Sequence, residues 1–200
     1  YINFFYLFIS ILISIYIVEI TETKYLFSTA LFGASFILII KATEDFFVKN
    51  NNFSQNLSHF AFSIFILSIL LNGVLSKEFS ANMKYGDEIK INESSIKFVN
   101  LETINEKNYK SIITGFQIID KNGKIENFNP EIRIFNQPEI LTSEADIKSD
   151  IFSDKFLVVN LLKDDGYFNV RYQIKPFMLW IWASVVLLSI GGMLSFFRRV

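Results

Sequence analysis

The sequence predicts an integral membrane protein of four α-helical spans, with an external β-rich domain inserted before the last of them. Three observations carry that prediction. Hydrophobic residues make up 51% of the 200 residues, 23 of them phenylalanine, far from the balance of an ordinary soluble domain. Apolar stretches at 2–18, 25–40, 57–76 and 177–197 are free of charge, and a hydrocarbon core about 30 Å thick takes roughly 20 helical residues to cross. Between the third and fourth stretches the spacing of apolar residues changes to period two, the mark of half-buried strands.

Taken in order, residues 1–76 hold three predicted spans. The first ends at the polar Glu19–Lys24. The chain opens on Tyr1, without an initiator methionine and inside an apolar run, and therefore reads as an excerpt of something longer. A signal peptide is not expected, because a basic n-region and a small-residue cleavage site are missing. The second run, 25–40, carries Gly33, Ala34 and Ser35, small enough to let another helix approach closely. Its polar exit, rich in Asn and Ser, suits a loop with an N-cap near Ser54. The third run, 57–76, is uncharged up to Lys77.

Residues 77–175 form the predicted β domain. The alternation is cleanest in Tyr167–Ile174, where Phe168, Val170, Tyr172 and Ile174 point one way and Asn169, Arg171 and Gln173 the other. Asp165-Gly166 reads as the hairpin turn to Phe156–Leu162, and Asn122-Gly123 as the turn between Ile112–Ile119 and Lys124–Phe128. Shorter strands are predicted at Glu88–Ile91, Ile96–Leu101 and Ile132–Phe135, and a helical stretch at Ser143–Asp154. Residues 176–200 are the last span and its tail. Trp180 and Trp182 stand near its start, where amphipathic rings favour the bilayer interface; Gly191-Gly192 suits close helix packing. Basic residues flank both sides, so positive charge orients the chain weakly. The expectation is an inner-membrane protein contacting lipid, with its tails in the cytoplasm and the β domain periplasmic.

Net charge is −1, from 19 basic and 20 acidic residues, and suggests no nucleic-acid partner. With no cysteine and a single histidine, thiolate metal sites, disulfides and Ser-His-Asp constellations are excluded within this chain. The carboxylates of Lys163-Asp164-Asp165 and Ser143-Glu144-Ala145-Asp146 read as solvated turns and caps, the ordinary role of exposed acids. Arg133 and Arg171 fall on exposed strand faces, open to solvent or to a partner.

His59 is the candidate that stands out. An ionisable group at membrane depth is costly and points to function, although a histidine near a helix start also snorkels to the interface with no ligand role. Met193, placed by the predicted topology on the same side of the membrane, is the one internal candidate to share a metal with it.

Four stretches occur in an order and spacing that is informative: PEIRIF at 130–135, SEADI at 143–147, VRYQIKPFMLWIW at 170–182 and GGMLSFFRR at 191–199. Together they resemble the C-terminal third of the CcmF family, the heme lyase subunits of the bacterial-type cytochrome c maturation system. Ser58-His59-Phe60-Ala61 is similar to that family's A/S-H-x-G setting of a transmembrane histidine, with Ala61 in place of the glycine. The resemblance covers the chain from about Asn56 onward. It implies a heme lyase in which His59 is one of two axial ligands of a resident heme b and binds its iron. Electrons from quinol would pass through this heme to keep incoming heme reduced during attachment to the CxxCH thiols of apocytochrome c. The implied partners are CcmH, CcmE and CcmI; the Trp-rich segment that handles incoming heme would lie upstream. The alternative is a non-catalytic permease or scaffold segment whose external β domain docks partner subunits.

Overall fold

A computed structural model describes residues 4–20, 26–48, 53–91, 94–162 and 166–197. The chain divides into two compact units, one of Tyr1–Ser76, Asp150–Ser153 and Pro176–Val200, the other of Lys77–Ser149 and Asp154–Lys175.

The first unit is helical. It comprises α1 (Phe4–Ile20), α2 (Leu26–Val48), α3 (Phe53–Leu75) and α4 (Met178–Phe197), with α1 packed on α2, α2 on α3 and α3 on α4. Its seams are rich in small residues: Ser10, Ser14, Ser35, Ala42, Ser54, Ala61, Ser63, Ser68 and Ser184 are buried, together with the larger Phe32 and Leu57. Large apolar side chains such as Phe4, Phe8, Leu12, Trp182, Val186 and Phe196 face outward. This inverts the soluble pattern and matches helices whose association relies on close approach and not on expelling water. The seam hydroxyls are satisfied within their own helices: Ser10 donates to the Tyr6 carbonyl at 2.7 Å, Ser63 to Phe60 at 2.7 Å and Ser184 to Trp180 at 2.6 Å. No buried side-chain N or O among the described residues lacks a partner.

Among the described residues, α3 and α4 are long and apolar enough to cross a membrane, while α1 is apolar but shorter. The second helix runs on to Val48, past the expected end at Ile40, taking in Lys41, Glu44 and Asp45. A Lys41–Glu44 ion pair at 2.6 Å lies along that charged turn and supports it weakly. The expected cap at Ser54 is corrected, since Phe53 is already helical and Ser54 is buried within the first turn.

The second unit is a two-sheet sandwich. One sheet has the order β1 (Lys77–Met83), β10 (Phe168–Pro176), β9 (Ser153–Leu161), β8 (Asp146–Ser149). The other runs β2 (Glu88–Ile91), β3 (Ser94–Asn105), β4 (Tyr109–Ile119), β6 (Glu131–Asn136), β7 (Glu139–Glu144), with β5 (Ile125–Phe128) also paired to β4. Side chains from both sheets fill the core, among them Met83, Phe98, Phe116, Phe128, Leu157, Val159, Phe168 and Val170. Phe98 stacks on Phe116 at 4.4 Å between ring centroids and meets Phe168 of the other sheet edge-on at 5.5 Å, favourable geometries for aromatic quadrupoles. The alternation expected in β10 is observed: Phe168, Val170 and Tyr172 are buried and Arg171 is exposed.

The helical stretch expected at Ser143–Asp154 is a correction. Those residues finish β7, form β8 and begin β9. Ile147 pairs with Phe156 and Ser143 with Ile132, so ladder pairing in two hairpins of consecutive strands outweighs a weak helical preference. Both β1, paired with β10 along its whole length, and β7 escaped the sequence reading. The Asn122-Gly123 turn is present: Gly123 has φ +76°, and the Asp120 carboxylate accepts the amides of Asn122 and Lys124 at 2.8 and 2.9 Å. Gly166 has φ +68° and β9 neighbours β10, while Asp164 and Asp165 lie outside the described residues, as do Arg198 and Arg199.

Candidate functional site

His59 sits in the second turn of α3, on the side of the helix that no described element covers. It is exposed, as are Gln55, Phe62 and Ile69. Successive steps of 100° per residue put those four on one side of the helix. The opposite side carries Ser54, Leu57 and Ala61, all buried in the seam. Phe60, next to His59, turns toward α2 and stacks on Phe46 at 5.4 Å, and Asn56 donates to the Asp45 carbonyl at 2.6 Å. The helix is thereby held from α2 and α4, and the imidazole is left on an apolar face with no hydrogen bond to a described residue. A ring nitrogen of a neutral imidazole in such a place is available to coordinate a metal.

The neighbouring seam is unusually close. Gly191 of α4 is buried, and a Cβ there would stand 2.3 Å from the Ser58 Oγ and 3.1 Å from both the Ser54 carbonyl oxygen and the Ser58 amide nitrogen. At Gly192 a Cβ would meet nothing within 4 Å. The sequence marked the glycine pair as a packing feature without telling its members apart, because only the helix partner decides which one is needed.

Met193 is not brought to His59. Gly191 faces α3, and two residues further on the helix has turned by roughly 200°, leaving Met193 60% exposed on the far side of α4. Trp180 has a structural partner, its indole donating to the Ile151 carbonyl at 2.9 Å, while Phe177 N donates to the Phe152 carbonyl at 2.7 Å. The short loop 150–153 is thus fastened to the head of α4. Trp182 is exposed, as an aromatic belt residue would be.

In the sandwich, Glu144 and Asp146 lie on strands β7 and β8 and not in a turn; Lys163, Asp164 and Asp165 lie outside the described residues. Asp146 accepts the Asn129 amide at 2.7 Å, and Glu144 lies 3.9 Å from Arg133. Arg133 is engaged chiefly by Glu131, whose carboxyl it holds below its ordinary value by hydrogen bonding. Arg171 does the same for Glu78, with Gln173 assisting. No group of three or more His, Cys, Asp or Glu among the described residues is arranged to hold a metal. A cavity of about 680 Å³ opens at one end of the sandwich, lined by Lys77, Phe79, Lys90, Ile118, Tyr172 and Ile174 among others. No local pattern of residues announces it, since its walls come from five strands.

A β-sandwich whose first strand is preceded and whose last strand is followed in sequence by a helix of membrane-spanning length defines the class: a sandwich protein flanked by apolar helices, with a histidine on one of them. The chain belongs to the CcmF family, whose C-terminal beta-sandwich model matches residues 74–176. Among curated relatives, cytochrome c-type biogenesis protein ccl1 of Rhodobacter capsulatus is 30% identical over 58% of this chain and 18% of its own length. Cytochrome c-type biogenesis protein CcmF of Escherichia coli is 27% identical over 70% of this chain and 22% of its own. The chain therefore spans about a fifth of the length of these relatives. A solved structure named Cytochrome c Heme Lyase CcmF shares the fold, with a TM-score of 0.71 at 12% identity over 96% of this chain and 34% of that one.

Proposed function

We propose that this chain is part of a membrane heme lyase for cytochrome c maturation and that His59 supplies one axial ligand to a resident heme b. The observation that carries the reading is the exposed imidazole, without a hydrogen-bond partner among the described residues, on an apolar face of α3, in a chain whose relatives are named for cytochrome c biogenesis. The residues fit a heme on one side: an imidazole nitrogen for iron, with Phe62 and Ile69 beside it as apolar surface for a porphyrin edge. A second ligand would come from outside this chain, which has one histidine and no cysteine and whose Met193 lies exposed on the far side of α4. When bound, the heme supplies a one-electron couple between quinol and the incoming heme.

The chain's own part is to hold and orient. The small-residue seam fixes α3, α3 presents the imidazole, and the apolar face excludes water from it. Covalent attachment to apocytochrome c requires no nucleophile from these residues, because placing thiols beside vinyl groups yields much of the rate through proximity. On this reading all four helices cross the inner membrane, the sandwich is periplasmic and meets CcmH, CcmE or CcmI, and the C-terminus is cytoplasmic. Replacing His59 with Ala in the full-length protein is expected to abolish the b-type heme spectrum while the protein still accumulates in the membrane. An unchanged spectrum would leave the scaffold role as the better reading.

A further inference from the structure

We infer that Gly191 is a positioning residue for the His59 imidazole, an inference that rests on the ligand role proposed above. The contact it makes is with backbone, not only side chain: a Cβ on Gly191 would be 3.1 Å from the Ser54 carbonyl oxygen and 3.1 Å from the Ser58 amide nitrogen, besides 2.3 Å from the Ser58 Oγ. A side chain can rotate away from such a clash, but a helix backbone moves only as a whole. The Ser58 hydroxyl is also committed, donating to the Ser54 carbonyl at 3.0 Å. Ser54 and Ser58 lie one turn apart, and His59 follows Ser58 directly. Whatever sets the distance and roll of that turn against α4 therefore sets where the imidazole points. The buried Leu57 and Ala61 extend the same seam on either side. Gly192, one residue along, is open and serves as an internal control.

The test uses the purified full-length protein and compares heme-to-protein ratio, reduced absorption bands and low-spin electron paramagnetic resonance g values in four variants. Gly191→Ala is expected to retain heme about tenfold less firmly, the lower end of what changes just behind a metal ligand cost, and to shift the g values of the heme that stays. Gly192→Ala is expected to match the unsubstituted protein. Ser58→Ala with Gly191→Ala removes the 2.3 Å contact but keeps the two at 3.1 Å, so its shift is expected in the same direction and smaller. That double variant is the one read if Gly191→Ala does not accumulate. Unchanged g values and heme retention in the accumulating variant, or equal shifts at 191 and 192, would overturn the inference. His59→Ala separates the two claims: heme unaffected by its loss refutes the ligand role itself, whereas heme lost in His59→Ala and undisturbed in Gly191→Ala refutes only the positioning.

Discussion

At Gly115 the backbone of β4 runs so close to β3 that a Cβ would lie 2.7 Å from the Asn100 Cβ, beside the irregularity in register between Phe98 and Asn100. Gly115→Ala is expected to cost about 1–3 kcal/mol, the usual range for overpacking, and Asn100→Gly in the same protein to recover part of it, read as chemical-denaturation midpoints. Tyr172 offers a different residue-scale handle. Burial between the sheets, helped by the charge of Glu126, pushes its phenol from 10.0 up to about 12. Because the folded value is raised, the neutral phenol's contribution is whole below pH 10 and disappears as pH climbs through about 12. Tyr172→Phe is therefore expected to flatten the alkaline loss of thermal stability across that window.

Among elements, the two sheets are joined by more than their shared core. Lys155 of β9 contacts the Glu126 carboxylate of β5 at 2.6 Å, with side-chain exposures of 25% and 18%, and the two strands belong to different sheets. Burial, the largest single influence on the Glu126 carboxyl, raises its pKa; the hydrogen bonds and charges of Lys155 and Lys124 outweigh it, so the net displacement is downward. With folded values lowered at Glu78, Glu126 and Glu131, their contributions are present above 4.5 and fade as pH falls below it. Lys155→Ala is expected to weaken the sandwich by about 1.5–3 kcal/mol, the range for hydrogen bonds to charged groups, and to soften this acid limb in a melting series. These elements also show what was readable beforehand. The Phe168–Ile174 alternation announced β10 because one face of that strand is buried and the other is not. Ser143–Asp154 misled because Glu, Ala, Asp and Lys carry no strand preference of their own, and their conformation is imposed by β6 and β9. In the same way, β1 was invisible in Lys77–Met83, whose partner lies about 90 residues away. His59 was legible as a lone ionisable group, but the role of Gly191 was not, since it depends on which residue of α3 it meets.

For the whole molecule, the orientation proposed above puts the sandwich outside and the helices in lipid. The absence of cysteine from this chain makes the topology measurable. In an otherwise cysteine-free full-length protein, Lys107→Cys in the sandwich is expected to react with an impermeant maleimide in intact spheroplasts. Ser195→Cys near the end of α4 is expected to react only after permeabilisation, and labelling in the opposite sense would reverse the assignment. The proposed function turns on a single imidazole. The most direct measurement is the reduced optical spectrum of the full-length protein carrying His59→Gly, recorded without and with added imidazole. Iron ligation by His59 predicts loss of the b-type heme bands in the first case and their return in the second. Undiminished bands before any imidazole is added would contradict it.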